Sequence, residues 1–356
     1  MNHQNPVKRL LSPLVNPAVY DFWASHLNRT WSWERALARV VGREPASTDS
    51  VTLTLRPNRN FAGFQPGQHV HVTVEIGGVR HTRSYSPSDR VREDGLLQIT
   101  VKQIPGGRVS GYLCRDIQVG DVLELSPAFG EMLLPGPARP LLLLAGGSGI
   151  TPLISQLRQL TRRPLQTDVT LIYWARSREE LCFREELRAL AASEPRLSVL
   201  FGLTRNQAGA DDERGGRPAP AWFDGLPLQD MQVHACGPAG FVATLESLLK
   251  GKADVFHGEA FTPPAQVTEE GAPVKITLRR SGRVVSVPSG KALLPALEAQ
   301  GIQLAHGCRM GICNTCVCDK VSGIARNVHD GHSDPEPGTQ LKICINAAQS
   351  DLVLDV

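Results

Sequence analysis

Residues 306–320 read "HGCRMGICNTCVCDK", and what these cysteines hold decides how the last quarter of the chain folds. Four of the eight cysteines fall within these residues. Cys308, Cys313 and Cys316 are spaced C-x4-C-x2-C, and Cys344 follows in "LKICINAA". Structural zinc sites come as two C-x2-C knuckles or as a Cys pair with a His pair. A gap of four, a gap of two and a distant fourth thiolate is the spacing that holds a 2Fe–2S cluster. One loop then wraps a flat cluster with three thiolates, and Gly307 and Gly311 let backbone N–H groups approach the sulfurs. Zinc and plain structural thiols are the alternatives. Cys318 reads as a small packing residue rather than a ligand.

The flanks agree with iron. "VKITLRRSGRVVSVPSG" (274–290) reads as two short strands turning at Ser281–Gly282. "SGKALLPALEAQGIQL" (289–304) reads as a helix with Leu293, Leu294 and Leu297 on one face, stopped by Gly301. Residues 273–356 resemble a plant-type ferredoxin domain, from "CRMGICNTC" to the closing "ICINAAQSDLVLDV". Free plant ferredoxins are strongly acidic, whereas this segment carries nine Lys/Arg against seven Asp/Glu. Tethered to its donor, such a cluster has less need of electrostatic capture.

A chain of 356 residues exceeds one ordinary core, so two or three domains are expected. Apolar residues at 41% and charged residues at 21% are those of a globular protein, and a net charge of +3 gives no argument for nucleic acid. No apolar run reaches the length of a bilayer span, and Pro6 and Pro13 interrupt the start before any signal-like stretch. A cytoplasmic chain is expected, with contact at the inner face of the membrane as an option. Disulfides are uncommon in that compartment.

Upstream, "SVTLTLRP" (50–57), "HVHVTVEIGG" (69–78), "GLLQITVKQ" (95–103) and "GDVLELSPAFG" (120–130) alternate as the strands of a small antiparallel barrel. "RSYS" (83–86) follows a strand, and "GGRVSGYL" (106–113) runs from a Gly turn into a helix whose first amides suit a pyrophosphate. In this order the two pieces resemble the ferredoxin–NADP reductase superfamily. The resemblance implies that Arg83, with Ser84 beside it, meets flavin phosphates, that Tyr85 packs on the isoalloxazine and that Ser86 lies near flavin N5. It implies that Gly107, Val109 and Ser110 complete the pyrophosphate site. FAD is the expected flavin, with FMN as the alternative.

From residue 138 strand–helix units alternate, which argues for a parallel sheet. "REELCFREELRALAA" reads as one of its helices. "GGSGITP" (146–152) lacks the spacing of the dinucleotide fingerprint. The same resemblance nevertheless implies that Gly146, Gly147, Gly149 and Thr151 cradle a nicotinamide dinucleotide. It implies that Cys236, with Gly237 and Pro238, approaches the nicotinamide, and that Glu259 and Phe261 lie close to the flavin. Arg176 and Arg178 precede any acid after the second strand, and Thr204 and Arg205 in "LTRNQ" suit a 2′-phosphate. NADPH is expected, with NADH as the alternative. Ser86, Cys236 and Glu259 are the catalytic candidates, whereas His69, His71 and His81 read as ordinary barrel residues.

The expected organisation is an N-terminal extension (1–35), a flavin-binding antiparallel β-barrel (36–137), an α/β parallel-sheet nicotinamide domain (138–261), a linker (262–272) and an α+β, β-grasp ferredoxin domain (273–356). The extension places Leu10, Leu11, Leu14, Val15, Phe22, Trp23, Leu27 and Trp31 on one apolar side, with Lys8, Arg9, Arg29 and Arg35 around it. It either packs on the barrel or docks a partner or a membrane interface. The order of modules resembles reductases of bacterial membrane-bound fatty acyl desaturases. It implies a monomeric NAD(P)H-dependent reductase feeding a di-iron desaturase; a ring-hydroxylating oxygenase as acceptor, or a cluster-based redox sensor, are the alternatives.

Overall fold

The computed structural model describes residues 16–134, 136, 139–261, 271–328 and 331–356. Most of the expected linker, and Lys8 to Val15 of the expected apolar side, lie outside them. The chain enters through helix α1 (Pro17–Leu27), whose start is set by Pro17 and by Asn16 Oδ1, which accepts from the Ala18 N–H at 3.0 Å. Asp21 on this helix accepts from the Ser32 hydroxyl and the Trp33 amide, and Asn58 donates to the carbonyls of Thr30 and Arg35. Residues 28–35 are thereby stitched to the barrel, while one stripe of α1 stays outside.

The barrel is a six-stranded antiparallel sheet of β1 (Ala36–Ser47), β2 (Ser50–Pro57), β3 (Val70–Ile76), β4 (Val79–Tyr85), β5 (Leu97–Lys102) and β6 (Val122–Leu125), in the order β4-β3-β6-β1-β2-β5. Helix α2 (Arg108–Arg115) contributes Val109 and Leu113 to its core. Strand β1 escapes an alternation test because Gly42 and Pro45 interrupt it, and its pairing with β2 slips at both places. The R-S-Y segment does not follow a strand: Arg83–Tyr85 are the last residues of β4 itself.

The second unit is a sheet of β7 (Leu141–Gly146), β8 (Val169–Ala175), β9 (Leu197–Leu203), β10 (Glu213–Gly215), β11 (Gln232–Gly237) and β12 (Val255–Ala260), ordered β10-β9-β8-β7-β11-β12 with every pair parallel. Helices α3 (Ile150–Leu160), α4 (Arg184–Ser193) and α5 (Ala239–Leu249) pack on it. All six residues of β7 are buried, as a strand covered on both faces requires. The helix expected over 178–192 begins at Arg184. Before it, Tyr173 Oη holds the Cys182 amide at 3.2 Å, Leu181 and Cys182 enter the core, and Phe183 turns into the left-handed region at φ 60°.

The C-terminal unit pairs β13 (Gly271–Leu278) with β14 (Arg283–Ser289), crosses by α6 (Leu293–Ala299), and continues through β15 (Val317–Ser322), β16 (Ala325–Asn327), β17 (Ser333–Asp334), β18 (Thr339–Lys342), β19 (Asn346–Ala348) and β20 (Leu352–Leu354). Its main sheet runs β14-β13-β20-β15-β18, with β13 and β20 parallel at the centre of a β-grasp. Leu293, Leu294 and Leu297 are buried against it. Barrel and parallel sheet are joined by polar contacts: Lys102 Nζ to Glu180 at 2.8 Å, Ser155 Oγ to the Asp89 carbonyl at 2.6 Å, and Arg158 to the Ser88 carbonyl at 2.7 Å. Among the described residues no helix is long and apolar enough to cross a membrane.

Candidate electron-transfer site

Gly77 and Gly78 close the β3–β4 hairpin, both at positive φ (59° and 77°), as a two-residue turn matched to strand twist demands. That turn dictates which residues face one another. Val70, Val72 and Val74 go to the core, and the opposite face carries three cross-strand pairs. Thr73 meets Thr82 at 2.7 Å, His71 Nδ1 meets Ser84 Oγ at 3.0 Å, and, just beyond the strand end, His69 Nδ1 meets Ser86 Oγ at 2.7 Å.

This face lines a cavity of about 450 Å3 where the three units meet. From the barrel come Arg83, Ser84, Tyr85, Ser86, Gly107, Val109 and Ser110; the parallel sheet adds Thr151 and Phe261; the cysteine loop adds Cys308 and Met310. At the start of α2 no side chain caps the helix, so its first amides stay available to an anion. Ser110 Oγ instead accepts from the Ile104 N–H at 3.1 Å and tightens the turn, and a Cβ at Gly107 would crowd that oxygen. Burial pushes the Tyr85 hydroxyl well above its usual range. A concave, mostly apolar pocket with a few convergent polar groups suits a flavin.

On the parallel sheet the loop after β7 is pressed against β11. A methyl on Gly149 would overlap the Cys236 carbonyl, and Thr151 Oγ1 donates to the Ser148 carbonyl at 3.1 Å. Cys236 is fully buried; burial, with the charge of Glu259 adding to it, drives its thiol far up, so it stays a neutral packing group. The β11–β12 register sets Cys236 beside Glu259, and the Phe261 amide donates to the Gly237 carbonyl at 2.8 Å. Pro238 opens α5.

Glu259 Oε2 also reaches His69 Nε2 at 2.6 Å, and the Phe261 ring meets the imidazole edge at a centroid distance of 5.6 Å. Ser86, His69 and Glu259 thus form one hydrogen-bonded chain from cavity wall to outer strand. His69, expected as an ordinary barrel residue, is buried there, and its ring links two of the catalytic candidates. The turn register held that signal: with Gly77–Gly78 as the tip, His69 falls opposite Ser86.

The 2′-phosphate candidates divide. Thr204 and Arg205 follow β9 side by side, with the Arg205 amide on the Arg176 carbonyl. Arg176 itself is paired to Glu180 at 2.9 Å and lies 3.6 Å from Asp49, so two carboxylates compete for its charge. Arg178 is held by Glu213 and serves the fold.

In the C-terminal unit the four thiols stand as two pairs. The Cys308 amide donates to Cys313 Sγ at 3.2 Å, the amides of Met310 and Cys313 donate to Cys308 Sγ at 3.3 Å, and Cys316 Sγ lies 3.1 Å from Cys344 Sγ. Within each pair one thiol is lowered by its partner's hydrogen bond: Cys313 by Cys308, and Cys316, to about 7, by Cys344. Two thiols per metal, with amides aimed at sulfur, fit a two-iron cluster better than a single ion. Cys318 sits on β15 in the core, its thiol pushed up to about 12 by burial.

Comparison with known proteins gives the same three units. Residues 38–133 match the oxidoreductase FAD-binding domain family, 143–247 the oxidoreductase NAD-binding domain family, and 276–345 the 2Fe–2S iron–sulfur cluster binding domain family. An NADPH oxidoreductase of Mycobacterium tuberculosis is 34% identical over 98% of this chain and 92% of its own length. The glycine betaine monooxygenase reductase subunit of Pseudomonas aeruginosa is 28% identical over 92% of this chain and 97% of its own. Among solved structures, phthalate dioxygenase reductase, described as a modular structure for electron transfer from pyridine nucleotides to [2Fe–2S], superimposes with a TM-score of 0.64 at 26% identity, covering 90% of this chain and 98% of that one.

Proposed function

This chain belongs to the ferredoxin–NADP reductase superfamily, as an NAD(P)H-dependent flavin and iron–sulfur oxidoreductase, and from that premise we propose that it draws on NADPH and delivers electrons to a membrane-bound fatty acyl desaturase. The observation that carries the electron path is the shared cavity, lined at once by the R-S-Y-S strand, the G-G-S-G-I-T-P loop and the cysteine loop. Bound FAD supplies hydride acceptance with release of single electrons, and the 2Fe–2S cluster supplies a one-electron carrier.

The residues do the rest. Arg83, Gly107, Val109 and Ser110 anchor the flavin phosphates, and Tyr85 covers the ring. Gly146, Gly147, Gly149 and Thr151 hold the dinucleotide, with Thr204 and Arg205 on the 2′-phosphate; Arg176 contributes only by leaving Glu180. Cys236 packs beneath the nicotinamide as a neutral thiol. Ser86 would take up a proton from the cavity as it gives its own to His69 Nδ1, His69 Nε2–H would pass one to Glu259, and Glu259 would release it to solvent, so that one proton leaves the cavity as the imidazole switches tautomer. Cys308, Cys313, Cys316 and Cys344 hold the cluster.

The desaturase assignment draws on α1. Val19, Phe22, Trp23 and Leu27 recur at helical spacing and are 56%, 59%, 67% and 81% exposed, with Trp31 nearby at 50%. An outward aromatic stripe on a helix whose other face is tied down suits a membrane interface. The names of the monooxygenase and dioxygenase relatives favour a second reading, a ring-hydroxylating or aromatic-degrading oxygenase as acceptor. Anaerobic titration with NADPH and with NADH, following flavin and cluster absorbance together, tests the path: NADPH bleaches both at lower concentration, and a flavin that reduces while the cluster stays oxidised refutes it.

A further inference from the structure

His71 shares the cavity-facing side of β3 with His69, yet the proton chain above does not use it. Its Nδ1 is on Ser84 Oγ at 3.0 Å, its ring leans on Phe129 at a centroid distance of 4.6 Å, and its amide donates to Ser126 Oγ at 2.9 Å. The imidazole is therefore fixed from two sides, and Nε2 points away from the barrel. What lies there is the cysteine loop. A Cβ on Gly307 would stand 2.5 Å from His71 Nε2 and 2.9 Å from Cys313 Sγ, so ring nitrogen and sulfur flank the same glycine. Behind its pairing with Cys308, the nearby His71 side chain is one of the groups that lower the Cys313 thiol.

We propose that His71 is a positioning residue which seats the cluster on the flavin barrel by donating a hydrogen bond from Nε2–H to the sulfur of Cys313, and thereby raises the potential at which the cluster accepts an electron. The inference rests on Cys313 being a cluster ligand. With Ser84 O–H donating to Nδ1, the neutral ring has one N–H left, and it faces sulfur. A hydrogen bond to a ligand sulfur stabilises the more negative, reduced cluster. Glycine at 307 is what lets the ring come this close. The ring also touches Ser84, so one side chain spans from the flavin-binding motif to a ligand of the cluster.

Anaerobic redox titration of the full-length holoprotein, read by the EPR signal of the reduced cluster, tests this. His71→Leu is expected to lower the cluster's reduction equilibrium about tenfold, about 59 mV for a one-electron couple. His71→Gln, whose amide N–H reaches the same sulfur, is expected to recover most of the loss. An unchanged midpoint in His71→Leu, or a glutamine variant as low as leucine, overturns the proposal. Should His71→Leu fail to load its cluster, pulse EPR of the wild-type protein labelled with 15N-histidine decides. A histidine nitrogen coupling that survives His306→Ala supports the hydrogen bond, and its absence overturns it. Cys313→Ser separates the premise from the inference: retention of an unaltered cluster there refutes the ligand assignment, whatever His71 does.

Discussion

Of the three groups chained along the cavity wall, the imidazole of His69 is the central link, bonded through one ring nitrogen to Ser86 and through the other to Glu259. Ser86 alone has no exit, and Glu259 alone lies on another domain. His69→Phe is expected to lower steady-state electron delivery to ferricyanide or cytochrome c by roughly a hundredfold, the scale of a lost acid–base group. Glu259→Gln, whose amide accepts the Nε2–H hydrogen bond but cannot take up the proton, should cost about as much. A larger solvent deuterium isotope effect in Glu259→Gln than in the wild type is the accompanying signature, and equal isotope effects would remove the proton chain. Gly149 makes the opposite kind of prediction. Any side chain there collides with the Cys236 carbonyl, so Gly149→Ala should separate the loop from β11. NADPH affinity is expected to fall at least tenfold by flavin-reduction titration, while flavin content holds.

The β3–β4 hairpin shows what a single turn commits. Two glycines at its tip pair residue 69 with 86, 71 with 84 and 73 with 82, and a slip of one would send all these polar groups into the core. Both histidines were visible in "HVHVTVEIGG"; their partners follow once the turn is read as two residues. Strand β11 carries a second polar device. His234, fully buried, donates from Nδ1 to Gln156 Oε1 at 2.9 Å and accepts at Nε2 from Gln232 at 2.9 Å. Burial, with His257 nearby, lowers its pKa to about 4. The unfolded chain binds this proton below about pH 6.5 and the folded chain only below about 4. Stability is therefore complete above pH 6.5 and declines as pH falls toward 4, by roughly 3 kcal/mol from this group. Urea midpoints measured across that window should fall in the wild type and vary less in His234→Asn. The helix that starts at Arg184 rather than 178 is a limit of periodicity. Apolar spacing could not reveal that Leu181 and Cys182 are drawn into the core beside Tyr173.

At the scale of the molecule, three units contribute the R-S-Y-S strand, the loop after β7 and the cysteine loop to the lining of one cavity. The extension is both anchored and available. Asp21, Asn28 and the segment through Trp33 bind it to the barrel, while Phe22 and Trp23 face outward. Deleting residues 1–33 would also strip partners from Asn58 and Asn60, so point changes test docking more cleanly. Phe22→Ser with Trp23→Ser is expected to leave NADPH–ferricyanide reduction within twofold and to weaken binding to lipid vesicles and electron delivery to desaturase-containing membranes at least fivefold. Equal loss of both activities would return α1 to a packing role. A soluble acceptor would be unaffected by vesicles in either form.

The cysteine spacing, the β-strand alternation of the barrel and the Gly-rich turns between apolar strands and helices were legible in the sequence, because each is dictated by neighbours within one element or one loop. They sufficed for the fold class and the three cofactor types. Strand β1 was hidden by its glycine and proline. The encounter of His69 with Glu259, 190 residues away, and of His71 with Cys313 belongs to the docking of whole domains. The docking of the barrel on the parallel sheet is held by polar contacts between distant segments, such as Lys102 with Glu180 and Arg158 with the Ser88 carbonyl, each too weak and too dispersed to leave a pattern in the chain.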